Sequence, residues 1–388
     1  MLNCNSKKNV GIDVIAFSTS NYFLSLKTLA EHRNVDYRKY YDGIGQEKMA
    51  VFPPNEDIVT IAIDAAQKVL AKIENKNEID LLIFATESSF DLSKSAGIYV
   101  HHFWGLKPSC RVFDIKQACY SATAALQMAK NFVENNSGSK ALVIGSDIVK
   151  YSPNTSGEPT QGGAAVAMLV SENPRLAYIE PFSGVYTADV ADFWRPAAAN
   201  EAMFDGRLSA HNYLRSLGYA LDGYFEQSSL NFDDIDYTCF HAPFNKMAIK
   251  AARQFFPERN IKDALIYNAL IGNSCSASLY ISLISLIDNC KMDLAEKRIG
   301  MYSYGSGSVA EYYSLVIADQ YKSVVLSEEN RRNLANRIEV SFGEYEKLSA
   351  ITEFFNYIGE ENATGPYKNI GSVFLKEIRE GYRIYKEV

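Results

Sequence analysis

Cys119 is the residue best placed for covalent chemistry. It sits where Cys110–Ile115, with Val112, Phe113 and Ile115 at strand spacing, gives way to Ala122, Ala125, Leu126, Ala129, Phe132 and Val133 at helical spacing. A thiol at a helix N-terminus faces unpaired backbone N–H groups and the positive end of the helix dipole, which favour the thiolate and lower its pKa. Ser121, Ala122, Ala124 and Ala125 are small and leave room for a substrate. Glu87 follows the apolar run Ile79–Ala85, where partial desolvation raises a carboxylate toward the range of a working base. His241 follows the strand-like YTCF and precedes Ala242-Pro243, so the chain leaves extended and the imidazole can project from a strand end. Each residue also has a plain structural reading: a small buried thiol, a capping carboxylate and a packed imidazole.

A cysteine, a carboxylate and a histidine on strand ends suit acyl transfer through a thioester, and equally a cysteine hydrolase; position and periodicity do not separate the two. The loop Ser303–Ser308, SYGSGS, lets backbone approach a ligand and can aim N–H groups at an oxyanion. It lacks Walker spacing and a following lysine, and no G-x-G-x-x-G opens a helix. No H-E-x-x-H or Cys/His ligand spacing points to a metal, so none is expected.

The elements that must hold these groups read as α/β. A first strand spans Val10 to Phe17, a helix Leu26 to Arg33, and Asn55 is the expected cap of a helix carrying Ile58, Ala62, Ala65, Ala66, Val69 and Ile73. Ile79–Ala85, Ala141–Gly145 and Ala164–Val170 are continuous apolar runs, as expected of parallel strands covered on both faces, with helical patterns between them. Ligands of such sheets gather beyond the carboxyl ends of strands, where Glu87, Cys119 and Asp147 fall. The order then recurs: a helix over Ala210–Gln227, a strand at Tyr237–Phe240, a helix over Ser276–Ile287 and a last strand at Val309–Ile317. The reading is two similar α/β halves, 1–175 with Glu87 and Cys119 and 176–318 with His241, Asn273 and Ser306, packed together, followed by a helical peripheral region, 319–388.

At 388 residues, 47% hydrophobic and 22% charged, the chain is of ordinary soluble composition. Its formal net charge of −7, with Lys and Arg dispersed, argues against nucleic-acid binding. The most apolar window, Ala277 to Ile287, is too short to span a bilayer, and the N-terminus lacks a signal-peptide core. Six cysteines without C-x-x-C pairing read as reduced thiols in a cytoplasmic protein.

The segments ATES (85–88), QACYSAT (117–123), GSD (145–147), GEPTQGGAAVAML (157–169), DFWRP (192–196), HAPFNKM (241–247), GN before SLY (272–273, 278–280) and SYGSGS (303–308) together resemble the hydroxymethylglutaryl-CoA synthase family, its bacterial form most. The resemblance implies a thiolase-like fold in α/β/α/β/α layers and a homodimer. It implies condensation of acetyl-CoA with acetoacetyl-CoA and water to hydroxymethylglutaryl-CoA and CoA, in the mevalonate pathway, with CoA thioesters as substrates and no cofactor. Cys119 would carry the acetyl group, Glu87 would remove a methyl proton, and His241 would protonate the new alkoxide. The N–H groups of Cys119 and Ser306 would bind the thioester oxygen. Tyr151, Thr160, Ser209, Asn273 and Ser306 would contact the acyl part; Lys246, Lys250 and Asp36 belong with the substrate-binding positions, the lysines meeting CoA; Asp147 and Asp192 would support. The chain departs from the family in GNSCSASLY, where Cys275 and Ser276 replace an aromatic and a threonine. Alternatives are the same chemistry on a β-ketoacyl chain bound to an acyl carrier protein, a thiolase- or ketosynthase-type enzyme lacking the hydrolytic step, and an inactive scaffold of the same fold. The Glu87 motif argues against the thiolase and ketosynthase types.

Overall fold

In the computed structural model, residues 9–196, 202–350, 357–358, 367 and 371–388 are described. The first half runs β1 (Val10–Thr19), β2 (Tyr22–Ser25), α1 (Leu26–His32), α2 (Arg38–Tyr41), β3 (Lys48–Val51), α3 (Ile58–Leu70), β4 (Ile79–Ala85), α4 (Gly97–Phe103), β5 (Arg111–Ile115), α5 (Ser121–Asn135), β6 (Lys140–Val149) and β7 (Gly162–Glu172). The second runs β8 (Ala177–Thr187), β9 (Phe193–Trp194), β10 (Met203–Phe204), α6 (Gly206–Ser228), β11 (Tyr237–Phe240), α7 (Asn245–Phe255), α8 (Lys262–Ile271), α9 (Ser278–Asn289), β12 (Arg298–Gly305) and β13 (Val309–Ile317).

Nine strands form one sheet in the order β11-β12-β13-β8-β1-β7-β6-β4-β5. The sheet is mixed, not parallel as the apolar runs suggested. β4 is parallel to β5 and β6, and β11 to β12, but β7 is antiparallel to β6 and β1, and β13 to β12 and β8. Continuous burial in β7 reports that helices cover both its faces; it carries no information about strand direction. The halves are stitched at β1 and β8 by only two residue pairs, Gly11 with Tyr178 and Ile12 with Ala177.

Between the half-sheets lie α5, on β4 and β6, and α9, on β11 and β12 as well as β1 and β7. With α3 outside the first half-sheet and α6 outside β8 and β13, this is the five-layered thiolase-like arrangement. α5 meets the second half through polar contacts. Tyr120, just before the helix, donates to Glu311 of β13 at 2.6 Å, Gln127 donates to the same carboxylate at 3.0 Å, and the buried Thr123 and Tyr280 hydroxyls, on α5 and α9, are 2.9 Å apart. Such contacts order a core because each orphaned partner would cost its full desolvation.

Two expectations change. Asp57, not Asn55, caps α3: its carboxylate accepts from the N–H groups of Val59 and Thr60, and Thr60 Oγ1 accepts from the Asp57 N–H, a closed capping box. The stretch after residue 318 is not simply helical. It holds α10 (Ser327–Ala335), β14 (Ile338–Glu339), α11 (Phe342–Ala350) and β15 (Tyr357–Ile358), then an antiparallel hairpin, β16 (Val373–Arg379) and β17 (Tyr382–Glu387). Alternating burial in β16 marks one face packed inward, a period the charged composition masks. The hairpin is tied to the α3 cap, since Arg383 and the Tyr385 hydroxyl both donate to Asp57 Oδ2, at 2.8 and 2.7 Å.

Arg383 and Asp57 are nearly fully buried, so removing the arginine leaves the Asp57 carboxylate without its counter-ion, held only by neutral donors. Arg383→Ala is expected to lower stability by about 3 kcal/mol in chemical unfolding; a loss below about 1 kcal/mol, the range of an exposed pair, would show that the hairpin is not anchored there.

Candidate active site

The turn that carries Cys119 is a strained elbow. Ala118, just before Cys119, has φ of 42°, a left-handed value that L side chains adopt at a cost, and α5 begins three residues later at Ser121. Cys119 therefore lies at a helix N-terminus, as its spacing predicts. The second half presses on this turn through Gly305, where an added Cβ would lie 2.5 Å from Gln117 O and 2.7 Å from Tyr120 N. Only glycine permits that approach, and it sets the Ser306 carbonyl 3.1 Å from Gln117 Nε2.

Glu87 is held by its backbone. Its N–H donates to Asp147 Oδ1 at 2.8 Å, and its carbonyl accepts from Arg195 Nη2 at 2.7 Å. Asp147 is fully buried inside β6, which runs on to Val149, and not beyond the strand end as the apolar run suggested; it gathers the Thr86 hydroxyl at 2.9 Å and the Ser88 N–H and hydroxyl at 3.0 and 2.8 Å on the same oxygen. Its other oxygen accepts from the N–H of Ser276 at 3.1 Å and from its hydroxyl.

Beside Ser276 stands Cys275. Its thiol donates to Glu87 Oε1 at 2.8 Å, and the Cys119 sulfur lies 3.1 Å from the Cys275 sulfur, placed to donate to it. Glu87, Cys119 and Cys275 bring their ligand-type atoms within 4.8 Å of one another, close enough to hold a metal ion. Spacing could not reveal that set, since its members come from three distant loops. Cys275 itself has φ of 46°, and its N–H donates to Asn273 Oδ1 at 2.9 Å. Asn273 in turn donates its N–H to the Thr160 carbonyl at 3.0 Å. This crossing needs Gly272, with φ of 91°, where a Cβ would fall 1.9 Å from Gln161 O.

His241 is buried at the end of β11. Its N–H donates to Tyr302 O at 2.8 Å and its carbonyl accepts from the Tyr213 hydroxyl at 2.7 Å. The adjoining Ala242 exchanges two hydrogen bonds with Ser278 Oγ, both 3.0 Å, so the histidine strand is fastened to the segment carrying Cys275. Among the described residues, His241 Nδ1 has no hydrogen-bond partner. Asp192 supports the Ser306 loop, accepting from the Tyr304 hydroxyl at 2.6 Å and from Gly307 N–H at 2.9 Å.

Burial, then the neighbouring Asp147 carboxylate, pushes Glu87 up to about 7, the direction expected at a strand end. Cys119 departs from expectation. The Cys275 contact works to lower its pKa, but burial and the carboxylates of Glu87 and Asp147 outweigh that contact and leave it raised, to about 11. The helix terminus alone does not make a resting thiolate. Desolvation lowers His241 to about 3, so its imidazole is neutral at rest. Burial raises Tyr151, whose surroundings include Cys275, Glu87 and Cys119, and whose ring rests on Gly157.

A family model described as hydroxymethylglutaryl-coenzyme A synthase N terminal matches residues 6–175, and its C-terminal counterpart matches 177–256 and 247–386. The chain belongs to the hydroxymethylglutaryl-CoA synthase family. A hydroxymethylglutaryl-CoA synthase of Enterococcus faecalis is 42% identical over 353 residues, 88% of this chain and 92% of that protein. The polyketide biosynthesis 3-hydroxy-3-methylglutaryl-ACP synthase PksG of Bacillus subtilis is 32% identical over 97% of this chain and 99% of its own length. Among solved structures, MvaS in complex with 3-hydroxy-3-methylglutaryl coenzyme A superposes with a TM-score of 0.90 at 33% identity, covering 98% of this chain and all of that one.

The other residues that the resemblance implies fall into two groups. Tyr151, Thr160, Asn273 and Ser306 are linked to the Cys119, Glu87 and Cys275 cluster through the contacts above. Ser209, Asp36, Lys246 and Lys250 lie in other hydrogen-bond networks, and among the described residues none is hydrogen-bonded to Glu87, Cys119 or His241. Ser209 is in the first turn of α6, with its N–H on Asp205 O. Asp36 is exposed and accepts from Arg38 N–H at 2.9 Å. Lys246 fastens α7 to the 42–44 segment, through Nζ to Asp42 O and N–H to Ile44 O, both 3.0 Å, and Lys250 is exposed one turn on. Two contributors escape residue-type reasoning: Cys275, visible in sequence only as a departure in GNSCSASLY, and Arg195, hidden within DFWRP.

Because a base works only when ionised, acetyl-methyl proton exchange by the acetylated protein is expected to rise with pH through about 7. Replacing Asp147 by Asn removes a neighbouring negative charge, so that limb should move down by about one pH unit, whatever happens to the plateau. A limb that stays in place, followed by deuterium exchange, would remove Asp147 from the electrostatics of Glu87.

Proposed function

We propose that Cys119, Glu87 and His241 carry out the condensation of acetyl-CoA with acetoacetyl-CoA and water to hydroxymethylglutaryl-CoA and CoA. The observation that carries this reading is the placement of the Glu87 carboxylate within 4.8 Å of the Cys119 sulfur, with one thiol between them. A base that close to a thioester sulfur can reach the methyl group of an acetyl on that sulfur. Glu87 at about 7 is strong enough to take such a proton once the carbonyl oxygen is stabilised, and close enough to neutrality to return it. The stabilising donors are the Cys119 and Ser306 N–H groups, on the elbow and on the loop that Gly305 presses against it. His241, neutral at rest, takes up a proton from solvent as negative charge develops at the acetoacetyl ketone oxygen, and the imidazolium passes that proton to the alkoxide and returns to the neutral ring. Water then cleaves the Cys119 thioester and frees the product.

Lys246 and Lys250 supply the positive charge for CoA phosphates on a chain that is otherwise net acidic. The setting is mevalonate formation, which the 42%-identical Enterococcus faecalis synthase supports. A carrier-protein-bound β-ketoacyl substrate is the second reading, supported by the 32%-identical PksG. We take the active unit to be a homodimer in the cytoplasm. The five described cysteines are free, which suits a reducing compartment, and no helix among the described residues is long and apolar enough to cross a membrane.

Acetyl-CoA alone is expected to leave one acetyl group on Cys119 by intact-protein and peptide mass, and addition of acetoacetyl-CoA to release hydroxymethylglutaryl-CoA. Glu87→Ala, acetylated beforehand at high pH, should condense about 10³-fold more slowly than the acetylated wild type. Product formation by Cys119→Ser would sink the acyl-enzyme reading, and turnover of acetoacetyl-carrier protein in preference to acetoacetyl-CoA would select the second.

A further inference from the structure

A nucleophilic cysteine that rests as a thiol must lose its proton before or during attack, so something in the site must take it. The sulfur of Cys119 points at one group that leads to a base. Cys119 is placed to donate to the Cys275 sulfur at 3.1 Å, and the Cys275 thiol donates to Glu87 Oε1 at 2.8 Å. Both bonds run in one direction and end on a carboxylate. The strand of backbone that sets Cys275 there is over-determined: its φ is 46°, its N–H is held by Asn273 Oδ1, and the next residue is fixed to Asp147 through N–H and hydroxyl. A residue held in a strained conformation by several independent contacts marks a position where geometry matters. His241 is not the alternative base in the resting site, since its Nδ1 is unpartnered among the described residues and burial disfavours its charged form.

We propose that Cys275 is a positioning residue that relays the Cys119 proton to Glu87 during acetylation. The inference rests on the acyl-enzyme reading above and deepens it. As the Cys119 sulfur attacks the carbonyl carbon of acetyl-CoA, its proton passes to the Cys275 sulfur while the Cys275 proton passes to Glu87 Oε1. The new sulfur–carbon bond forms, the bond from that carbon to the CoA sulfur breaks with its electron pair on CoA, and Glu87 gives the relayed proton to the departing CoA thiolate. The sum is one thiol and one thioester exchanged for another thiol and thioester. Glu87 is returned as a carboxylate, and Cys275 is again a thiol. The same carboxylate is then free to take the methyl proton, so one base serves two successive proton transfers, the first through a thiol and the second directly.

The test is rapid-quench measurement of CoA release from acetyl-CoA alone, across pH, for the full-length wild type, Cys275→Ala and Cys275→Ser, with reductant and chelator present. The wild type is expected to release one CoA per site in a burst. Cys275→Ala should acetylate about 10²-fold more slowly near neutral pH and regain rate as pH rises toward the thiol pKa, where the relay is no longer needed. Cys275→Ser, whose hydroxyl both accepts and donates, should return to within about tenfold of the wild type. In protein already acetylated at high pH, methyl deuterium exchange should suffer at least about ten times less in Cys275→Ala than acetylation does, because that proton goes to Glu87 directly. Wild-type acetylation rates in Cys275→Ala at neutral pH, or equal losses and identical pH profiles in the two variants, would overturn the relay. A wild type with no burst would instead overturn the acyl-enzyme reading, and the relay with it.

Discussion

The site depends on a single buried carboxylate. Asp147 lies within β6 of the first half and accepts on one oxygen from Thr86, Glu87 and Ser88, and on the other from Ser276 of the second half. One group thus fixes the backbone of Glu87 and the backbone beside Cys275. A buried carboxylate with that many charge-assisted donors is held tightly, because each lost partner leaves charge without compensation. The two half-sheets share only two residue pairs, so hydrogen bonds of this kind, with those of Glu311 to Tyr120 and Gln127, hold the halves in register at the cleft.

The same concentration of acidic groups explains the electrostatics. Glu87, Cys119 and Cys275 all lose charge when they are crowded and buried beside Asp147, so each is biased toward its protonated form. The helix dipole at Cys119, which would favour the thiolate, is outweighed by two nearby carboxylates and desolvation. The resting site is therefore proton-loaded, with a neutral imidazole beside it. Proton transfer between groups already in contact would avoid creating isolated charge in a poorly solvated site.

Much of the architecture was legible in the sequence. The cysteine at a strand-to-helix junction, the carboxylate after Ile79–Ala85 and the histidine before Ala242-Pro243 all sit where spacing placed them, because local periodicity reports burial and chain direction within an element. Strand direction between elements was not legible: β7 is as apolar as a parallel strand, yet it pairs antiparallel on both sides. The terminal hairpin was hidden by its charged outer face, and the cap of α3 was misplaced by two residues because Asn55 and Asp57 are both good caps and only the backbone chose between them.

Residue types and order along the chain determined which groups are available for chemistry and the family to which they belong. Tertiary structure alone decided that Cys275 bridges Cys119 and Glu87, that Thr160 reaches Cys275 through Asn273, and that burial and nearby carboxylates bias Cys119 toward the thiol. Those properties arise from distances between loops more than 100 residues apart in sequence for Cys119 and Cys275, where |i−j| is 156. Hydrogen-bond reach and desolvation depend on spatial separation and burial, and no local pattern of residues encodes either one.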